Sequence, residues 1–189
     1  MNLQFEAMAL AMPDVAGHPN RLPFRGVLTL VGVASQRPPS GAQGHRVMLT
    51  RVATDTALPS LLGMALDYAP SLESHDVRRK IGIITEANIV PLRADGGANA
   101  TGQLTISGYL FAHDFPDVVD EIRTQSATAG ATLGMSYEIA KVEVPNQDAS
   151  IWTATAFTFT GAAVLRRDKA AYPQTWIALA ASPHFSSKK

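Results

Sequence analysis

The chain has 189 residues, of which 46% are hydrophobic and 17% charged, a balance that fits one domain with its own core rather than a disordered segment. Sixteen basic residues face sixteen acidic ones, so no net field recruits nucleic acid or an anionic membrane. There is no cysteine, which excludes disulfides and thiolate metal sites and suits a reducing cytoplasm.

Met1 to Leu10 carries Glu6 and no basic stretch, so it does not read as a signal peptide. No run approaches the roughly 20 apolar residues of a membrane span. These readings favour an intracellular protein. Residues 1–23, with their prolines and little periodicity, are expected to form an N-terminal arm or a short edge strand. From Gly26 to Ala34 the β-branched run Val27-Leu28-Thr29-Leu30-Val31 predicts a first strand. Arg37-Pro38-Pro39-Ser40-Gly41 predicts a loop. His45 to Thr54 alternates as a second strand, with Val47, Leu49 and Val52 inward, and Leu58 to Met64 reads as a helical turn or packed loop. Lys80 to Val90 and Gln103 to Ala112 are a third and a fourth strand, joined by a hairpin-type connection over residues 93–99.

One helix is well signalled. Asp114 can cap it, Pro116 occupies the first turn, Asp117 suits the positive end of the dipole, and Phe115, Val118, Val119 and Ile122 form one apolar stripe. Thr124 to Gly130 is expected to end it. Strands then resume over Thr132 to Val144 and Ile151 to Leu165, and Arg167 to Tyr172 starts a second helix that Pro173 interrupts. The predicted fold is α+β: a mainly antiparallel, small β-barrel of about six strands with one or two flanking helices. Closure into a barrel would remove exposed strand edges. Residues 24–181 form the domain, and residues 182–189 a disordered tail.

Two segments carry candidate chemistry. Ser74-His75-Asp76 offers an imidazole at the mouth of the third strand, and Leu133-Gly134-Met135-Ser136-Tyr137-Glu138 offers a hydroxyl inside a strand. With no thiol available, a serine–histidine pair is the most economical nucleophilic constellation. Ser136 also fits a small hydrogen-bonded core residue, and His75 a solvated loop. Gly134-Met135-Ser136-Tyr137-Glu138 is not the nucleophile elbow of α/β-hydrolases, because position 138 is Glu. His113-Asp114 repeats the His-Asp pair, but no metal-ligand spacing accompanies either, so no metal or other cofactor is expected.

The order of Phe24-Arg25-Gly26-Val27-Leu28, Leu61-Leu62-Gly63-Met64-Ala65-Leu66, Ser74-His75-Asp76-Val77, Ser107-Gly108-Tyr109-Leu110-Phe111 and Leu133-Gly134-Met135-Ser136 resembles the prohead (capsid maturation) proteases of tailed phages, relatives of the herpesvirus assemblins. The resemblance covers Leu22 to Tyr172. It implies a serine endopeptidase with Ser136 as nucleophile and His75 as general base, acting on phage scaffolding protein and major capsid protein inside the procapsid, in the cytoplasm of an infected bacterium. It also implies a homo-oligomer with neither nucleic acid nor membrane as partner.

The family's third catalytic member lies on the next strand, where this chain has Ala156-Phe157-Thr158-Phe159-Thr160 and no acid or histidine. Thr160, or failing that Thr158, takes that place by spacing, and the alternatives are a bare Ser136–His75 dyad or a carboxylate borrowed from elsewhere, such as Glu138 or Asp168. Paired arginines support the oxyanion in assemblins, through a backbone N–H and an arginine-held water, which points to Arg166 and Arg167. The plain alternative for that pair is an ion pair with Asp168. The missing acid also leaves open a catalytically inert, capsid-associated structural protein of the same fold. Ala178-Leu179-Ala180-Ala181-Ser182 reads as an unstructured stretch open to self-processing.

Overall fold

The computed structural model describes residues 8–10, 13, 15, 17–92, 100–127 and 132–180. Its elements, in chain order, are β1 (Met8–Ala9), β2 (Leu22–Val31), β3 (Arg46–Leu49), α1 (Arg51–Ala57), a 3-10 turn over Leu58–Leu61, β4 (Ala65–Tyr68), β5 (Lys80–Pro91), β6 (Gly102–Leu110), α2 (Pro116–Ala127), β7 (Leu133–Glu143), β8 (Ile151–Ala154), β9 (Ala156–Arg166) and β10 (Trp176–Leu179). The arm over residues 1–7, the connection over residues 93–99 and the tail over residues 182–189 lie outside the described residues.

One sheet runs β10-β2-β6-β5-β4-β9-β7, with β1 added against β5. All its pairings are antiparallel except that of β4 with β9. A separate parallel pair joins β3 to β8. The strict in-out alternation of β6 puts Leu104, Ile106 and Leu110 into the core and Thr105 and Tyr109 on the other face. β2 alternates at first and is then buried on both faces from Gly26 onward. Register shifts interrupt β2 against β6, β5 against β6 and β7 against β9, and each such bulge sharpens the local twist.

The sheet therefore curls until its end strand β7 meets β2 and β10. There the Met135 N–H donates to Thr175 Oγ1 at 3.0 Å. A Cβ at position 26 would collide with the Trp176 carbonyl oxygen and then with the Met135 sulfur, so that position is glycine. The outcome is a curled half-barrel with Phe159, Leu28, Leu66, Ile84 and Met135 at its centre, and α2 laid against β10 and β7 through Val118, Val119 and Ile122. No helix among the described residues is long and apolar enough to cross a membrane.

Several expectations are corrected. The strand predicted over His45–Thr54 stops at Leu49, because Thr50 caps α1 by accepting from Ala53 N–H at 3.2 Å, and Val52 points outward, 60% exposed. The run Ile151–Leu165 is two strands separated at Thr155. Residues 167–172 form turns rather than a helix. Helix α2 continues past Thr124 to Ala127. Ala178 and Leu179 are not unstructured: they pair with Arg25 and Phe24 in β10. β4 and β10 were not anticipated, so the sheet holds more strands than the six expected.

Candidate functional site

Three neighbouring strands build a shallow stage. β9 lies between β4 and β7, and Asp67, Ala163 and Ser136 stand in one register row across them. One step along, Glu138 pairs with Gly161. Because side chains alternate along a strand, Ser136 and Glu138 share a face, and the row places Asp67 on it too. The central strand contributes only small residues to this row. A Cβ at Gly161 would collide with Glu138 Oε2, so the Glu138 carboxylate lies over the bare backbone of β9, reaching toward β4.

His75 arrives from the loop between β4 and β5. That loop is fastened at several points: Leu72, at φ +55°, accepts through its carbonyl from Arg166 N–H at 2.7 Å. Asp76 accepts from the Arg78 and Arg79 backbone amides at 3.1 and 2.9 Å, through its carboxylate and its carbonyl respectively. His75 Nδ1 then stands 3.0 Å from Glu138 Oε1 and 4.0 Å from Asp67 Oδ2. Lys80 Nζ stands 3.6 Å from the same Asp67 oxygen.

Asp67 is wholly buried, and neither carboxylate oxygen has a hydrogen-bond partner among the described residues. Burial, followed by a hydrogen bond to Glu138 that Asp67 can make only when protonated and by the like charge of Glu138, pushes its carboxyl up to about 6, against the pull of His75 and Lys80. A carboxylate on Nδ1 fixes the imidazole in the tautomer whose Nε2 can accept a proton, and it stabilises the imidazolium that results. This is the electrostatic element that the strand after the serine lacked.

A cavity of about 970 Å³ opens over this stage, and Ser136, His75, Glu138 and Thr160 all line it. Ser136, His75 and Thr160 thus border the same cavity. No hydrogen bond joins Ser136 to His75 among the described residues. The expected third member is corrected: the Nδ1 partner is Glu138, not Thr160. Thr160 is the extra residue of a bulge, since Gly161 pairs with Glu138 and Phe159 with Ile139, and that bulge leaves Thr160 exposed at the rim.

Arg166 and Arg167 are also reassigned. Their side chains line a different cavity, the Arg166 guanidinium forms a two-pronged pair with Asp168 at 2.9 Å, and their backbone amides donate to Leu72 and Thr132 carbonyls at 2.7 Å. Amides already bonded to carbonyls are not oxyanion donors in this conformation. Asp168, held by Arg166, is likewise not at His75. Asp67 was missed altogether; the signal was an acid inside the apolar run Ala65-Leu66-Asp67-Tyr68. Asp67, His75 and Glu138, with one ligand atom each within 4.8 Å of the others, also form a donor set of the two-carboxylate, one-imidazole kind. The Lys80 ammonium beside Asp67 already supplies a positive charge there.

The profile of one protein family, described as the YonD N-terminal domain, matches residues 63–186, about two thirds of the chain. The match takes in β4 to β10 and with them Asp67, His75, Ser136 and Glu138. No curated protein and no solved structure gives a significant match.

Proposed function

The chain belongs to the YonD N-terminal domain family, and we propose that it is a serine endopeptidase in which Ser136, His75 and Glu138 work as nucleophile, base and orienting acid. The observation that carries this is the His75 Nδ1–Glu138 Oε1 bond of 3.0 Å in a cavity that Ser136 also lines. In the first step His75 Nε2 takes the Ser136 hydroxyl proton while Oγ bonds to the peptide carbonyl carbon. The same proton passes to the departing amine as the C–N bond breaks, leaving an acyl-serine. Water then repeats the sequence, with His75 as base, and frees the acid. The Glu138 carboxylate at Nδ1 balances the imidazolium.

Asp67 stands behind this group, 4.0 Å from His75 Nδ1 and 3.6 Å from the Lys80 ammonium. The resemblance to prohead proteases extends the proposal to substrate and setting: scaffolding and capsid subunits of a tailed phage, cleaved in the procapsid, by a domain of assemblin-like descent. The engaged amides of Arg166 and Arg167 favour the rival reading, an inert capsid-associated protein of the same fold, since they leave the oxyanion without the donors that assemblins use. Incubation with the cognate scaffold and capsid proteins separates the two. Cleavage by wild type that disappears in Ser136→Ala supports the enzyme, and no cleavage by either supports the structural protein.

A further inference from the structure

Three side chains from separate parts of the fold converge beside β9: Asp67 from β4, His75 from the loop after it, and Glu138 from β7. One ligating atom of each lies within 4.8 Å of the other two, with His75 Nδ1 3.0 Å from Glu138 Oε1 and 4.0 Å from Asp67 Oδ2. Zinc bonds of about 2.1 Å at tetrahedral angles set ligand atoms roughly 3.4 Å apart, so these two separations bracket what such an ion needs. Asp67 is wholly buried, and neither of its oxygens has a hydrogen-bond partner among the described residues. A buried carboxylate without donors is costly, and a cation shared with Glu138 would relieve both the desolvation and the like-charge repulsion. Lys80 brings one positive charge to Asp67 against the two carboxylates, and at 37% exposure its flexible stem can turn to solvent.

An ion can reach this set from solvent. His75 and Glu138 line the cavity of about 970 Å³ together with Ser136, while Asp67 closes the rear. Two oxygens and an imidazole nitrogen suit zinc and its first-row neighbours better than magnesium or calcium, which prefer oxygen ligands alone. Three protein ligands leave a further position to water from the cavity. Occupancy has a direct consequence for His75. A neutral imidazole carries one N–H, so a metal on Nδ1 requires the proton to sit on Nε2. Nε2 then donates instead of accepting and cannot take the Ser136 proton, and the Glu138 carboxylate is drawn from Nδ1 to the cation. Metal binding and base catalysis at His75 therefore exclude each other.

We propose that Asp67, His75 and Glu138 form a binding site for a first-row divalent cation of the zinc type, and that its occupancy switches off the Ser136–His75 pair. The cation site rests on the three donors alone, and the switching rests on the endopeptidase reading.

The test titrates the full, chelator-treated chain with Zn²⁺ in competition with a chromogenic chelator. The expected result is one equivalent bound with a dissociation constant of about 1 μM or less. Affinity falls about a hundredfold in Asp67→Asn, in Glu138→Gln and in His75→Ala, and stays unchanged in Ser136→Ala and His113→Ala. It rises about tenfold in Lys80→Met, which removes a like charge. Urea unfolding of each variant confirms that it is folded, and the imidazole nitrogen resonances of His75 in the NMR spectrum should show Zn²⁺ on Nδ1 and the proton on Nε2. Absence of binding at about 100 μM Zn²⁺ overturns the proposal, as does binding that survives all three ligand substitutions. Fluorophosphonate labelling of Ser136 reads the second half. It should stop when one equivalent of Zn²⁺ is added, persist with Mg²⁺, and return with chelator. Zinc bound at these residues with labelling undiminished overturns the switch. If zinc binds as expected but Ser136 is never labelled even without it, the cation site stands and the endopeptidase reading fails. Labelling in a chain that binds no zinc does the opposite.

Discussion

Replacing Asp67 by Asn tests the electrostatics of the site through stability alone. In the folded chain the Asp67 carboxyl titrates at about 6 rather than its ordinary 3.8, chiefly because burial penalises the charged form. The folded state therefore holds this proton more tightly than the unfolded state. Its contribution to stability is fully present below pH 3.8 and is lost as pH rises through about 6. Carrying the titration from 3.8 to about 6 corresponds to at most about 3 kcal/mol. Asn has nearly the same shape and does not ionise, so its own cost of burial is the same at every pH. Urea unfolding of both proteins at pH 4, 5, 6 and 7.5 should show the wild type losing up to about 3 kcal/mol relative to Asp67→Asn over that range, with most of the change between pH 4 and 6. Parallel stability curves would refute the reasoning, because they would mean that Asp67 ionises equally easily in both states.

Gly161→Ala is expected to leave the fold intact but push the Glu138 carboxylate off His75, since the new methyl would occupy the place of Oε2. The readout is the low-field Nδ1 proton of His75 in the NMR spectrum, which should be lost, with reactivity of Ser136 falling about tenfold or more. Thr175→Val removes the oxygen that accepts from Met135 N–H at 3.0 Å and donates to the Tyr172 carbonyl at 2.9 Å. With that residue wholly buried, the loss should cost about 1–3 kcal/mol in urea unfolding, and a smaller effect would mean that the sheet ends are not held together there.

The long elements were legible because each obeys one period. β6 alternates cleanly, β5 is apolar and β-branched, and α2 has its proline, acid and stripe in helical order. β4 and β10 escaped notice because four residues carry too little pattern, and their identity depends on partners far away in sequence. α1 was misread because Val52, Thr54 and Thr56 are β-branched, a local preference that the Thr50 cap and packing against β9 override. Ser136 and His75 stood out as candidates by residue type, and the resemblance to prohead proteases is what raised them above a core serine and a solvated loop histidine. Their carboxylate partner was not legible, since the choice among Glu138, Asp168 and Thr160 turns on a bulge at Thr160 and a glycine at 161, both settled by register rather than composition.

An endopeptidase of this kind requires Ser136 to be an activated nucleophile. Treatment of the purified chain with a fluorophosphonate, followed by peptide mass spectrometry, measures this without knowledge of the natural substrate. The prediction is a single phosphonylated residue, Ser136, with labelling abolished in Ser136→Ala, nearly abolished in His75→Ala and slowed about a hundredfold or more in Glu138→Gln. Labelling scattered over several serines, or labelling of Ser136 that persists undiminished in His75→Ala, would contradict it.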